Sequence, residues 1–148
     1  MKLTTPAFDD GESIPDQYGY EAENVSPPLH VDDVPDEASS LALIMDDPDA
    51  EPIAGKIWTH WVVWNIPADM TTIAEGETPD AALEGQTDYG ESTYGGPNPP
   101  DGEHTYRFRL YALDTELDLA AGSSESDLEA AMDGHVVAET LLTGTYTP

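Results

Sequence analysis

The sequence predicts a mainly all-β protein, and three observations carry that prediction. Short apolar runs alternate with turn signals about every 10–15 residues, as in chains built of many short strands. The turns are supplied by 12 glycines and 13 prolines. Aromatic and β-branched residues fill the runs, most clearly Ile57–Ile66 and Thr105–Leu113, and such side chains suit a pleated, half-buried surface. Only one stretch combines a helix start signal with a stop signal.

In chain order, Leu3–Phe8 reads as an edge strand, where Pro6 is tolerated because its missing N–H costs no ladder bond. Ser39–Met45 is apolar almost throughout and bounded by Pro35 and Pro48, so it reads as a buried strand. Asp46-Asp47-Pro48-Asp49 then reads as a turn; it lacks the glycine and terminal glutamate of an EF-hand calcium loop. Ile57–Ile66, rich in tryptophan and valine, is the next strand and stops at Pro67. Glu75–Pro100 reads as a long loop region with room for one short strand, and loops of that length are usually functional or mobile. In Thr105–Leu113, Tyr106, Phe108 and Leu110 alternate with Arg107 and Arg109. A period of two puts the aromatics on one face and the arginines on the other. Ser126-Asp127-Leu128-Glu129 has the form of a capping box opening one helix, with Gly134 at its C′ position. Residues 135–147 leave a helix extension and a final strand both open. Val136, Val137 and the Thr-Tyr-Thr ending favour a strand for the second half.

The 148 residues suit one domain, 1–148, a size that buries about 68–70% of the unfolded surface without staples. With no cysteine, disulfides, thiolate metal sites and cysteine nucleophiles are excluded. The N-terminus lacks the apolar core of a signal peptide and no stretch is long enough to span a bilayer, so a soluble, cytoplasmic protein is expected. Charge is the strongest compositional feature: 31 acidic residues oppose 4 basic ones, for a net of −27. Such a chain repels nucleic acid and anionic membranes at long range, so neither is an expected partner. Clustering of the acids in turns, as at Asp32-Asp33 and Asp36-Glu37, points to halophilic adaptation, in which concentrated salt screens the self-repulsion.

Period-two alternation also suggests a site. Leu41, Leu43 and Met45 share a face that Asp47 continues; Trp58, His60, Val62 and Trp64 share another; His104, Tyr106, Phe108 and Leu110 a third. If all three faces point inward, one carboxylate, two imidazoles and a phenol meet at one end of the core. Histidine and tyrosine can donate to an anion, and an aspartate can orient an imidazole. Two other readings stay open: core histidines with ordinary hydrogen bonds, and an Asp/His/His metal site without compact ligand spacing. Tyr94-Gly95-Gly96-Pro97-Asn98-Pro99-Pro100-Asp101-Gly102 suits a rigid wall, its glycines permitting positive φ or close approach and its prolines stiffening the path. It is no P-loop, and no nucleophile elbow or His-Glu-x-x-His pattern occurs.

Six segments taken together resemble the phosphatidylethanolamine-binding family, in its bacterial and archaeal Raf-kinase-inhibitor-like branch. They are Asn24–Leu29, Asp46–Ala50, Trp58–Pro67, Tyr94–Gly102, His104–Phe108 and Gly134–Ala138. The resemblance implies an antiparallel Greek-key β-sandwich with a few peripheral short helices and an anion pocket at one end. Asp47 matches the family's pocket-floor aspartate, His60 and His104 its two pocket histidines, and Tyr106 the tyrosine two residues beyond the second. Gly96 and Pro100 fall in the glycine-proline wall and Trp58 at its rim. Glu51 stands where the family usually has proline, Asn98 where cysteine is frequent, and Thr105 where arginine is frequent. The implied function is non-enzymatic binding of a small anion or a phosphorylated small molecule, with no cofactor. Inhibition of a kinase or protease partner and a homodimer are further expectations. Rival readings are a metal-dependent hydrolase using Asp47, His60 and His104, and a partner-binding protein with a vestigial pocket.

Overall fold

A computed structural model describes residues 1–148. Its strands are β1 (Lys2–Thr4), β2 (Leu29–Asp32), β3 (Ser40–Asp47), β4 (Trp58–Pro67), β5 (Thr72–Ile73), β6 (Leu83–Glu84), β7 (His104–Leu113) and β8 (Val136–Tyr146). Two α-helices, α1 (Glu51–Ala54) and α2 (Glu125–Met132), and two 3₁₀ turns complete the chain. β1, β2 and β5 form a small sheet in the order β1-β2-β5; the other five form a large sheet in the order β6-β4-β3-β7-β8. All named pairs are antiparallel. Within the large sheet β7 returns to lie beside β3, and the run β7-β3-β4-β6 is a Greek key.

Each strand owes its place to its burial pattern. All eight residues of β3 are buried, because the strand is central and both faces are covered; its unbroken apolar run follows from that. β7 alternates buried and half-buried positions along its whole first part, as a strand with one dry face must. The inner face of the large sheet packs Leu41, Leu43, Met45, Trp61, Val63 and Phe108 against Leu3, Leu29, Val31 and Ile73 of the small sheet. On its outer face a second cluster joins Ala42, Ile44, Val62 and Trp64 to Leu128 and Met132 of α2. The result is a sandwich with one helix laid over its larger sheet.

Three expectations are adjusted. β1 ends at Thr4: the chain turns where Ala7 N donates to Thr5 Oγ1, and Phe8 reaches the core from the loop. The helix cap is Ser124 rather than Ser126, with Ser124 Oγ accepting from Asp127 N and Asp127 accepting from Ser124 N. A two-residue shift in register makes Asp127 the reciprocal partner that Glu129 was expected to be. Residues from Val136 form a strand, not a helix extension, because Gly134 takes φ +83° just past the helix end and β8 then pairs with β7 from Leu113↔Val136 to His104↔Tyr146.

The fourth adjustment shapes the site. β4 carries two extra residues relative to β3: pairing passes from Leu41↔Ile66 to Leu43↔Val63, and from Met45↔Trp61 to Asp46↔Thr59. A bulge of this kind reverses the alternation of side chains on the bulged strand. One bulge includes Asn65 at φ +56°, whose side chain exchanges two hydrogen bonds with Leu117. The other contains His60. The expected single face Trp58/His60/Val62/Trp64 is therefore split. Val62 and Trp64 turn to the helix side, Trp61 and Val63 take the sandwich side, and His60 is left at the open end.

Candidate functional site

The C-terminal end of β3 and the N-terminal ends of β4 and β7 meet at one end of the sandwich, around a cavity of about 210 Å³. Its lining includes Asp47, Trp58, His60, His104 and Tyr106, with Ala50, Ile53 and Ala54 on one side and Asn98, Pro99 and Pro100 on the other. Six of the seven residues proposed from sequence thus line one cavity, and Gly96 supports it from behind.

His60 is buried. Its Nδ1–H donates to Gly95 O at 2.7 Å, and Gly95 N returns a bond to His60 O at 2.9 Å. Burial pushes the imidazole pKa below its ordinary value, against the upward pull of Gly95 and Asp47. A neutral ring with its proton on Nδ1 presents Nε2 as an acceptor. His104 is arranged differently. Its Nδ1–H donates to Asp47 Oδ2 at 2.6 Å and its Nε2–H to Asp101 Oδ1 at 2.7 Å. Burial alone would lower its pKa, but the hydrogen bonds and charges of Asp47 and Asp101 outweigh burial and raise it. With a carboxylate on each ring nitrogen, the site favours the imidazolium form of His104.

The other Asp47 oxygen accepts from Asp49 N at 2.9 Å and caps the 3₁₀ turn Pro48–Ala50. The turn expected at Asp46–Asp49 begins one residue later than its first aspartate. Tyr106 is fully buried and its hydroxyl has no hydrogen-bond partner. The Asn98 main chain and the Asp47 carboxylate approach the hydroxyl without reaching the geometry of a formed hydrogen bond. Burial first, then the Asp47 charge, raises its pKa, so the phenol keeps its proton.

The glycine-proline wall is held from outside. Gly96 N donates to Asn24 Oδ1 at 2.7 Å, and Tyr89 Oη–H donates to Gly96 O at 2.9 Å. A side chain on Gly96 would run into the Tyr18 carbonyl, so close approach, and not positive φ, is what demands glycine here. The Gly96 amide is therefore already used by Asn24 and does not face the cavity as a free donor. Asn98 carries the one main-chain N–H in Pro97-Asn98-Pro99-Pro100, because proline has none.

Sequence reasoning missed Tyr89, Asn24 and Asp46. Tyr89 lies in the long loop, stacks on Tyr20 at 4.0 Å and meets His60 edge-on at 5.6 Å; no local pattern announces such pairing. Asp46 was legible. Alternation places it opposite Asp47, on the face of Arg107 and Arg109. Arg107 Nε and Nη2 donate to it at 2.7 and 2.9 Å, and Arg109 Nη2 at 2.8 Å. No cluster of three or more His, Asp or Glu side chains is arranged to hold a metal ion.

A Greek-key β-sandwich with an aspartate, two histidines and a buried tyrosine at one end defines the class. Residues 4–147 match the sequence model described as Phosphatidylethanolamine-binding protein. A UPF0098 protein of Methanothermobacter thermautotrophicus is 52% identical, covering 99% of this chain and 98% of its own. A phosphatidylethanolamine-binding protein homolog from Chlamydia trachomatis superposes with a TM-score of 0.91 at 42% identity, covering 97% of this chain and 95% of its own. E. coli YbcL, described as a member of the mammalian PEBP family, gives a TM-score of 0.90 at 29% identity, with coverage of 98% and 96%. The chain belongs to the phosphatidylethanolamine-binding protein family. None of its helices is long and apolar enough to cross a membrane.

Proposed function

We propose that the end cavity binds the phosphoryl group of a small molecule, and that the protein acts by binding and not by catalysis. The observation that carries this reading is the Tyr106 hydroxyl, buried at the cavity with no partner. An unmet buried hydroxyl costs about 1–3 kcal/mol, and an accepting ligand oxygen offsets that cost. Asn98 N–H is the natural second donor.

The histidine roles differ from those expected. His104 has both N–H groups committed to carboxylates, so it offsets the Asp47 charge and does not grip the ligand. His60, neutral with Nδ1–H on Gly95, accepts a proton-bearing oxygen at Nε2. The pocket therefore suits a monoprotonated phosphoryl group, with P–O–H toward His60 and P–O⁻ toward Tyr106. Ile53, 52% exposed at the rim, favours a ligand with an apolar portion outside the cavity. The names of the matched family and homolog agree with a phosphoryl ligand. The metal-hydrolase reading loses ground, since Asp47 and both His104 nitrogens are tied to one another and to Asp101.

Histidine-ring NMR during titration with phosphate and with phosphoethanolamine, in molar KCl, tests this reading. Saturable shifts at His60 in the native protein, moved to about ten-fold higher ligand concentration in Tyr106→Phe, are expected. Flat titrations in a folded sample would overturn it. The acidic composition we ascribe to a high-salt habitat; unfolding midpoints should rise steadily from dilute buffer to molar KCl as screening weakens repulsion.

A further inference from the structure

Between Pro97 and β7 the cavity wall has one well-formed polar tie. Pro97 O accepts from Tyr20 N, and beyond it the segment 98–103 is bonded through the Asp101 carboxylate, on His104 Nε2 at 2.7 Å, with only a weaker approach of the Asn98 main chain to the Tyr106 hydroxyl. Asn98, Pro99 and Pro100, which form one side of the cavity, belong to this segment. The Asp101 side chain is 57% exposed, whereas those of His104 and Asp47 are each 4% exposed.

These facts assign unequal fates to the two carboxylates. An imidazolium has two N–H groups and satisfies both; a neutral imidazole has one. When His104 loses a proton, Nε2 or Nδ1 becomes a lone pair facing a carboxylate oxygen. Asp47 is buried and fixed by its second bond from Asp49 N, so it cannot turn away from the ring, while Asp101 can turn into solvent at little cost. The proton remaining on the ring therefore stays on Nδ1, and Asp101 leaves.

We propose that Asp101 is a latch on the pocket wall: while His104 is doubly protonated its Nε2–H holds Asp101 and closes the Asn98–Glu103 segment, and loss of that proton releases it. This deepens the pocket reading above and rests on it for the latch's purpose, which is to gate ligand exchange. Asp101 is a positioning residue, acting through His104 and the wall. The charged or titratable groups around His104 are Asp47 from β3, Asp49 from the following turn, Asp101 and Glu103 from the wall, His60 from β4, Tyr106 from β7 and Tyr146 from β8. The acidic majority among them agrees with the upward pull on His104, so the wall is closed below the raised pKa and opens as pH rises through it.

The test needs no ligand. In ¹⁵N-labelled protein in molar KCl, the His104 ring nitrogens and the amides of Asp101, Gly102 and Glu103 are followed through a pH titration. They should shift with one common midpoint in the native chain. In Asp101→Asn the His104 midpoint should fall by about one pH unit, and the wall amides should lose the transition. Wall amides that stay flat while His104 titrates, or that keep the transition in Asp101→Asn, overturn the latch. A second arm measures exchange of inorganic phosphate, whose dissociation should be about ten-fold faster from Asp101→Asn, the loss of one charge-assisted hydrogen bond. Equal rates overturn gating. Absence of phosphate binding in the native protein overturns the pocket reading instead, while the ligand-free arm still judges the latch.

Discussion

Asp46 and Asp47 are neighbours in β3, both buried, and they end in opposite worlds. Asp46 points to the helix side, where two arginines give it three hydrogen bonds, and Arg109 also reaches toward Glu125 and Glu129 of α2 at 3.6 and 3.8 Å. Asp47 points to the sandwich end, shares one histidine and looks onto a cavity with an unmatched tyrosine hydroxyl. The first cluster uses half of the four basic residues in the chain to join strands and helix. The second leaves donors and acceptors open. Arg109 Nε in the scaffold is also buried without a partner, so what sets the second cluster apart is that its unmatched hydroxyl belongs to a residue lining a cavity.

Breaking the scaffold side should have the largest effect. Asp46→Ala leaves two partly buried guanidinium groups without their shared partner and should destabilise the fold by about 3 kcal/mol, measured by urea unfolding in molar KCl. A loss under 1 kcal/mol would show that water and Glu125 replace Asp46, and the contrast would fail. On the open side, Tyr106→Phe should leave stability unchanged or raise it by up to about 1 kcal/mol, since it deletes an unmet hydroxyl. It should weaken phosphate binding about ten-fold by calorimetry. A large destabilisation would mean that the hydroxyl has a structural partner after all.

The two sides also respond to pH in separate windows. Burial, then its neighbour Glu129, pushes Glu125 up to about 7 from 4.5. A carboxyl whose folded pKa is raised loses stability as pH rises from the unfolded value toward the folded one, here from about 4.5 to about 7. Glu125→Gln should flatten that slope and gain about 1 kcal/mol at pH 7.5, allowing for partial exposure. His104 has a raised pKa of the opposite charge type, so its contribution is complete below 6.5 and is lost as pH climbs through its folded value. Unfolding curves of His104→Gln should therefore diverge from native ones below that range and converge above it. The smallest effect concerns the helix start: Ser124→Ala removes the cap and should cost about 0.5–1 kcal/mol by thermal melting, whereas Ser126→Ala should cost less.

Much of this was readable from the chain because burial writes period-two patterns into strands. The runs that became β3, β4 and β7, the turn at Pro48, the stop at Gly134 and the proline-rich wall were all visible. So was the grouping of Asp47, Trp58, His60, His104, Tyr106 and Pro100, partly through family motifs. The side-chain pairings were not. A bulge changes which face follows His60, and nothing in Trp-Thr-His-Trp-Val-Val-Trp marks where strict alternation stops.

The sequence by itself determined the main strands, because hydrophobic periodicity and turn chemistry are local; the Greek-key class and much of the cast of the site were legible only through the family motifs. Tertiary structure alone decided which nitrogen of each histidine is occupied, which aspartate is saturated and which hydroxyl is left waiting. Those outcomes depend on groups brought together from distant segments, such as Asp47, Asp101 and His104. They turn on distances of a few tenths of an ångström, which no local pattern encodes.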